Sequence, residues 1–179
     1  MPLVASGVTF GYRTDAPLLQ DLSLEVSAGS SVGVMAPSGS GKSTLLAVLG
    51  GLRRAWGGTV AVEHAGPDTG GPLISWVFQD MHLLPHRTAL DNVAVALLSQ
   101  GLTRAQSEYL ALAELDRFGV SALAGRLQRD LSGGESQRVA LARAAIARPA
   151  VVLAAGRTQD ELAARPKFGL FACDDSHRF

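Results

Sequence analysis

The chemistry of this chain gathers in one short stretch, Ala36-Pro37-Ser38-Gly39-Ser40-Gly41-Lys42-Ser43-Thr44. It matches the phosphate-binding pattern Gly-x-x-x-x-Gly-Lys-Ser/Thr, except that Ala36 stands where the first glycine belongs. Gly39 and Gly41 let backbone N–H groups converge on phosphate oxygens at the positive end of a helix dipole. The pattern puts the Lys42 ammonium on the β- and γ-phosphates and turns the Ser43 hydroxyl toward Mg²⁺. The chemistry expected is the holding of a nucleoside triphosphate. Ala36 is a tolerable change, because its Cβ only restricts the first turn position.

The flanking residues supply the elements that position this loop. Val32 to Met35 reads as a buried strand, and Leu45 to Leu49 continues into a helix that Gly50-Gly51 stops. Upstream, Val4, Ser6, Val8 and Phe10 alternate as in a strand, and Leu22, Leu24 and Val26 repeat the period. Downstream, Thr59 to Glu63 alternates again, the Gly- and Pro-rich run from His64 to Pro72 predicts a surface loop, and Ile74 to Phe78 reads as a strand ending at Gln79. From about Asp80 to Arg129 the chain turns helical. Thr103 and Gln106 have capping-box spacing ahead of a helix over 107–118, with Leu110, Ala111, Leu115 and Phe118 as its apolar face. Leu131-Ser132-Gly133-Gly134-Glu135 then opens a helix over 136–148, with Val139, Ala142 and Ile146 inward, and Val151 to Ala154 is the next buried strand.

With that Leu-Ser-Gly-Gly-Glu motif following a helical insertion and Gln79 at a strand end, residues 4–154 resemble the ATP-binding domain of an ABC transporter. The segments Val77 to Pro85 and Thr88 to Val93 are similar to the subfamily serving lipoprotein release, macrolide-type export and cell division. The resemblance implies an α/β fold: a P-loop NTPase core of mostly parallel sheet flanked by helices, an N-terminal antiparallel β subdomain, and a helical insertion at about 80–130 that leads to the signature motif. The domain is expected over 1–154, with 155–179 a divergent tail and the last strands missing. The cofactors implied are ATP and Mg²⁺. Tyr12 falls where the family stacks an aromatic ring on adenine, though it also reads as a half-buried edge tyrosine. Gln79 falls where the family touches Mg²⁺ or the attacking water, or is an ordinary strand-end polar residue. Ser132 and Gly134, within Leu131 to Glu135, would grip the γ-phosphate held by a second subunit, or Ser132 is a plain helix cap. The partners implied are a head-to-tail homo- or heterodimer of ATP-binding domains and transmembrane permease subunits. That implies a cytoplasmic protein, peripheral at the inner face of the membrane.

The resemblance breaks after Ala154. The family strand ends in Asp-Glu-Pro-Thr, and the spacing from Ser132 puts that Asp at Ala155 and the Glu at Gly156. Neither residue binds a cation or accepts a proton, so no catalytic pair is intact. Asp160-Glu161 and Asp174-Asp175 offer carboxylates only after a register shift that this spacing does not support. The Leu-Asp pair and the switch histidine of the family are missing too, since His177 comes too early. Loss of several elements together points to one event, a truncation or frame shift, rather than drift. Three functions follow: a coupling ATPase subunit, a nucleotide-binding module that hydrolyses little, or a non-functional fragment.

Bulk properties narrow the field. The 179 residues suit one domain, and 16 Lys and Arg balance 16 Asp and Glu, so no basic field argues for nucleic acid. The single Cys173 excludes an internal disulfide, and His64, His82 and His86 are too scattered for a metal site. No apolar run reaches bilayer length, and the N-terminus lacks a secretory pattern, so a soluble protein is expected.

Overall fold

A computed structural model describes residues 3–37, 39–62, 73–78, 82–155 and 169–172. The chain divides into two compact units, residues 1–67 with 150–178, and residues 68–149.

The first unit holds two sheets. In one, β1 (Leu3–Phe10) lies between β2 (Leu19–Val26) and β4 (Gly57–Val62), antiparallel to both. The simple alternation expected for β1 breaks midway: Leu3 and Ala5 face inward, then Val8 and Phe10. A bulge between Ala5 and Val8 shifts the register, and Gly7 sits at φ 60° within it. One extra residue flips the inward phase. Gly58, at φ 80°, crosses β1 so closely that a Cβ there would run into the backbone of Ser6 and Gly7.

The other sheet orders β3 (Ser31–Gly33), β7 (Gly169–Ala172) and β6 (Val151–Ala154). β7 runs antiparallel to both neighbours, so β3 and β6 point the same way. Gly33 and Ala154 both pair with Gly169, which sets the ends of β3 and β6 level. β6 is buried as its apolar run requires, but β3 departs from expectation. Val32 is half-buried and Met35 is 69% exposed. Among the described residues β3 is the edge strand of its sheet, and it ends at Gly33, so Met35 lies beyond it. The helix α1 (Lys42–Leu49) follows, burying Leu45, Leu46, Val48 and Leu49 and ending at Gly50.

The second unit contains β5 (Ile74–Val77) and the helices α2 (Ala89–Leu98), α3 (Arg104–Arg117) and α4 (Gly133–Ile146), which pack on one another. Each helix opens with a reciprocal capping box: Thr88 with Asp91, Thr103 with Gln106, and Ser132 with Glu135. These caps start α3 and α4 three residues earlier than the apolar patterns alone indicate. α3 buries Ser107, Ala111, Glu114 and Leu115, while Leu110, expected inside, is 41% exposed. Positions spaced by four and seven from Ser107 form the inward stripe, and Leu110 lies beside it. Val139, Ala142 and Ile146 are buried on α4 as expected.

Candidate functional site

The phosphate loop connects β3 to α1. Gly39 and Gly41 have φ of 80° and 92°, a region that costs an L-residue about 1–2 kcal/mol. The glycines the pattern demands are therefore the ones this backbone needs. A Cβ at Gly39 would meet nothing, whereas one at Gly41 would lie 3.2 Å from the Leu18 side chain. The Lys42 ammonium folds back over its own loop, donating to the carbonyls of Ala36 at 2.6 Å and Pro37 at 2.7 Å. These oxygens satisfy a cation that phosphate oxygens can claim equally well. The Ser43 hydroxyl is at an exposed position, and Thr44 is buried in the first turn of α1. The cradle suits a polyphosphate: left-handed glycines, an ammonium, and a helix N-terminus in sequence.

Tyr12 lies against this loop. Its hydroxyl shares a hydrogen bond with the Thr44 hydroxyl at 3.0 Å. Its ring meets Phe10 edge-on at 5.4 Å, and the Arg53 guanidinium stands 5.9 Å from the ring centroid. Gly11 before it is buried, and a Cβ there would lie 2.5 Å from the Ala16 carbonyl oxygen. The sequence brought Tyr12 forward but gave no sign of Leu18 or Arg53, which touch the site through folding alone.

β6 ends beside this region within the same sheet. Because Ala154 and Gly33 share Gly169 as their partner, Ala155 leaves its strand on the edge where the phosphate loop leaves β3, two strand spacings away. The residue there has no side-chain oxygen. Ser38, Gln79 and Gly156 lie outside the described residues, as do Asp160, Glu161, Asp174, Asp175 and His177.

The signature residues belong to the second unit. Ser132, Gly133 and Gly134 are exposed, and Leu131 and Glu135 are half-buried. Ser132 N–H donates to the Glu135 carboxylate at 2.7 Å, and the Ser132 hydroxyl accepts from Glu135 N–H at 3.4 Å. The backbone N–H of Ser132, then its hydroxyl, hold the Glu135 carboxyl below the usual range. Ser132 is thus a helix cap in this state.

Two residues of the second unit carry contacts that no motif announced. Asn92, fully buried on α2, accepts from Leu84 N–H at 2.6 Å and donates to the carbonyls of Thr88 at 3.0 Å and Leu84 at 3.2 Å. Arg143 on α4 donates to the His82 carbonyl at 2.9 Å, and His82 has φ 41°. The sequence signal for Asn92 was its place four residues after the cap Thr88. Among the described residues no three His, Cys, Asp or Glu side chains gather for a metal, and no helix is long and apolar enough to cross a membrane.

Comparison with known proteins places these features in one family. The ABC transporter family matches residues 19–155. The lipoprotein-releasing system ATP-binding protein LolD of Acinetobacter baylyi is 40% identical over 173 residues, covering 89% of this chain and 74% of that protein. The Fe(3+) ions import ATP-binding protein FbpC of Agrobacterium fabrum is 42% identical over 150 residues, covering 81% of this chain and 41% of its own length. Two dimeric structures of the cassette MJ0796, one a post-hydrolysis state bound to ADP and Pi, each have a TM-score of 0.72 and 31% identity over 85% of this chain and 72% of theirs. The α/β fold and the phosphate loop agree with that kinship, and the chain belongs to the ABC transporter family, as one of its ATP-binding subunits.

Proposed function

We propose that this subunit binds ATP at residues 36–44 and turns it over far more slowly than a cassette with an intact carboxylate pair. The observation that supports the reading is the level placement of Ala154 and Gly33: the strand end level with the phosphate loop, two strand spacings away, offers Ala155. The cradle fits a triphosphate. Lys42 would exchange the carbonyls of Ala36 and Pro37 for phosphate oxygens, and the glycine N–H groups would close around them. Tyr12 would meet the adenine. Mg²⁺, held through Ser43 and Gln79, would neutralise charge on the phosphates. This chain adds no carboxylate at Ala155 to orient that ion's shell. At Gly156 it has no base to take a proton from water, a function worth about 100- to 10,000-fold in rate.

The partners follow from kinship. MJ0796 is a dimer in its solved structures, and the signature helix here keeps an exposed N-terminus with Ser132 and Gly134. A head-to-tail pair, with itself or with an intact subunit, would let Leu131 to Glu135 contact the ATP of the other chain. Lipoprotein release is named for LolD and iron import for FbpC. For this chain the partner class is a transmembrane permease at the inner face of the membrane, and LolD-type release is the reading favoured by the similarity to LolD of Acinetobacter baylyi over 89% of this chain.

The test pairs fluorescent-ATP binding with MgATP turnover, using Lys42→Ala as control. Binding abolished in the control, with turnover at background, is the expected result. Robust turnover that the control abolishes would overturn the slow-hydrolysis reading, and no binding in the parent would overturn the nucleotide reading.

A further inference from the structure

Tyr12 is 65% exposed, yet its ring is fixed at both ends. Phe10 meets it edge-on at 5.4 Å and 83°, and its hydroxyl lies 3.0 Å from the hydroxyl of Thr44. An exposed aromatic ring held by its backbone alone would exchange rotamers freely. Thr44 belongs to the loop that cradles phosphate and is only 7% exposed, so it is a rigid anchor. A threonine hydroxyl has one proton and two lone pairs. It can accept from Tyr12 and still donate to a phosphate oxygen. Arg53 near the ring adds a third constraint, with its guanidinium 5.9 Å from the centroid.

We propose that Thr44 is a positioning residue for Tyr12, its hydroxyl fixing the ring beside the phosphate loop so that the base and the phosphates of one nucleotide are recognised together. This rests on the reading that residues 36–44 hold ATP and that Tyr12 meets its base. The link spans 32 residues of sequence and joins the turn after β1 to the first turn of α1. It makes the two halves of the ligand site one unit before any ligand arrives. Nucleotide affinity should therefore depend on the Tyr12 hydroxyl, which itself touches no ligand, whereas affinity for a bare polyphosphate should not.

The experiment measures equilibrium binding of ATP and of inorganic tripolyphosphate by competition against fluorescent ATP. Tyr12→Phe keeps the ring and removes only the hydroxyl. It should weaken ATP by about fivefold, the worth of one net hydrogen bond, and leave tripolyphosphate unchanged. Thr44→Ser keeps the hydroxyl and should lose less ATP affinity than Thr44→Val. Thr44→Val should lose ATP affinity at least as far as Tyr12→Phe. Tripolyphosphate binding by Tyr12→Phe reports that the loop is folded, and Thr44→Val should lose more affinity for ATP than for tripolyphosphate. If Tyr12→Phe binds ATP as the parent does while Tyr12→Ala binds it weakly, the ring matters without its anchor and the positioning role is wrong. Equal loss of both ligands in Tyr12→Phe would also overturn it, because the hydroxyl would then be shaping the loop rather than the ring. A parent that binds ATP no tighter than tripolyphosphate would overturn base recognition and the positioning with it. A parent that binds neither would overturn the nucleotide reading itself.

Discussion

Replacing Asn92 by alanine removes the amide that ties residues 84–88 to α2. The side chain is fully buried and accepts from Leu84 N–H at 2.6 Å, while its two amide protons are shared among the carbonyls of Thr88, Leu84 and Arg87. At about 1 kcal/mol net for each bond, the ceiling is about 3 kcal/mol. Leu84 is 40% exposed, so water recovers part of the loss for its own groups, and the emptied space adds some back. The expected cost is about 2–3 kcal/mol. Urea unfolding followed through Trp76, in a Trp56→Phe background so that only the second unit reports, reads this as a midpoint lowered by about 1–2 M. Asn92→Asp tests the reasoning from the other side. The new carboxylate could still accept from Leu84 N–H, but it would face the carbonyl oxygens of Leu84, Arg87 and Thr88 with no proton to offer. Its folded pKa would rise above the unfolded value of about 3.9. Stability then returns as pH falls through that raised value, so the gap to the parent is wide at pH 7 and narrows in acid. A midpoint within about 0.2 M of the parent for Asn92→Ala, or a pH-independent gap for Asn92→Asp, would refute the role assigned to this amide.

Other substitutions read other parts of the molecule. Gly58→Ala puts a Cβ into the backbone of β1 at φ 80°, and should cost about 3 kcal/mol or more in thermal unfolding. Ser132→Ala should cost about 1 kcal/mol as a lost cap, measured by thermal melting. The Glu135 carboxyl is held below its usual value by the Ser132 N–H, so its contribution is complete above about pH 4.3 and is lost as pH falls through the depressed value. The melting difference between parent and Glu135→Ala should shrink over that same acid range. Ala155→Asp combined with Gly156→Glu should raise MgATP turnover above that of the parent without weakening fluorescent-ATP binding. Equal turnover in both proteins would show that carboxylates at these positions do not restore the reaction.

What could be read from the sequence was local. The phosphate loop, α1 and the caps of α3 and α4 follow from residues within a few positions of one another, where glycine conformation and helix capping act directly. β6 was legible because an apolar run of its length is buried in a sheet. The expectation of a carboxylate at Ala155 came from the family resemblance, carried by the spacing from Ser132. Features made by distant parts of the chain were not. The bulge at Gly7 inverts the inward phase of β1 because of its neighbours in the sheet. Met35 lies past the end of β3, which stops at Gly33, and its exposure follows from where the strand ends. Leu110 is as apolar as Leu115, and only the direction from which α2 and α4 approach decides which is buried. The bond between Tyr12 and Thr44 obeys no spacing rule, so neither residue announces the other.

The three capping boxes bear on the order of folding events. Helix nucleation is the unfavourable step, and a cap that satisfies its own backbone within four residues lowers that barrier using nearby chain alone. Helices α2, α3 and α4 each carry one, and all three belong to a unit that is continuous in sequence. The other unit is discontinuous and needs residues from 150 onward to complete its second sheet. During synthesis the helical segment is whole while the strands flanking the phosphate loop still await their neighbours. Its caps need only nearby chain, whereas the loop-bearing sheet pairs only once residues from 150 onward are present.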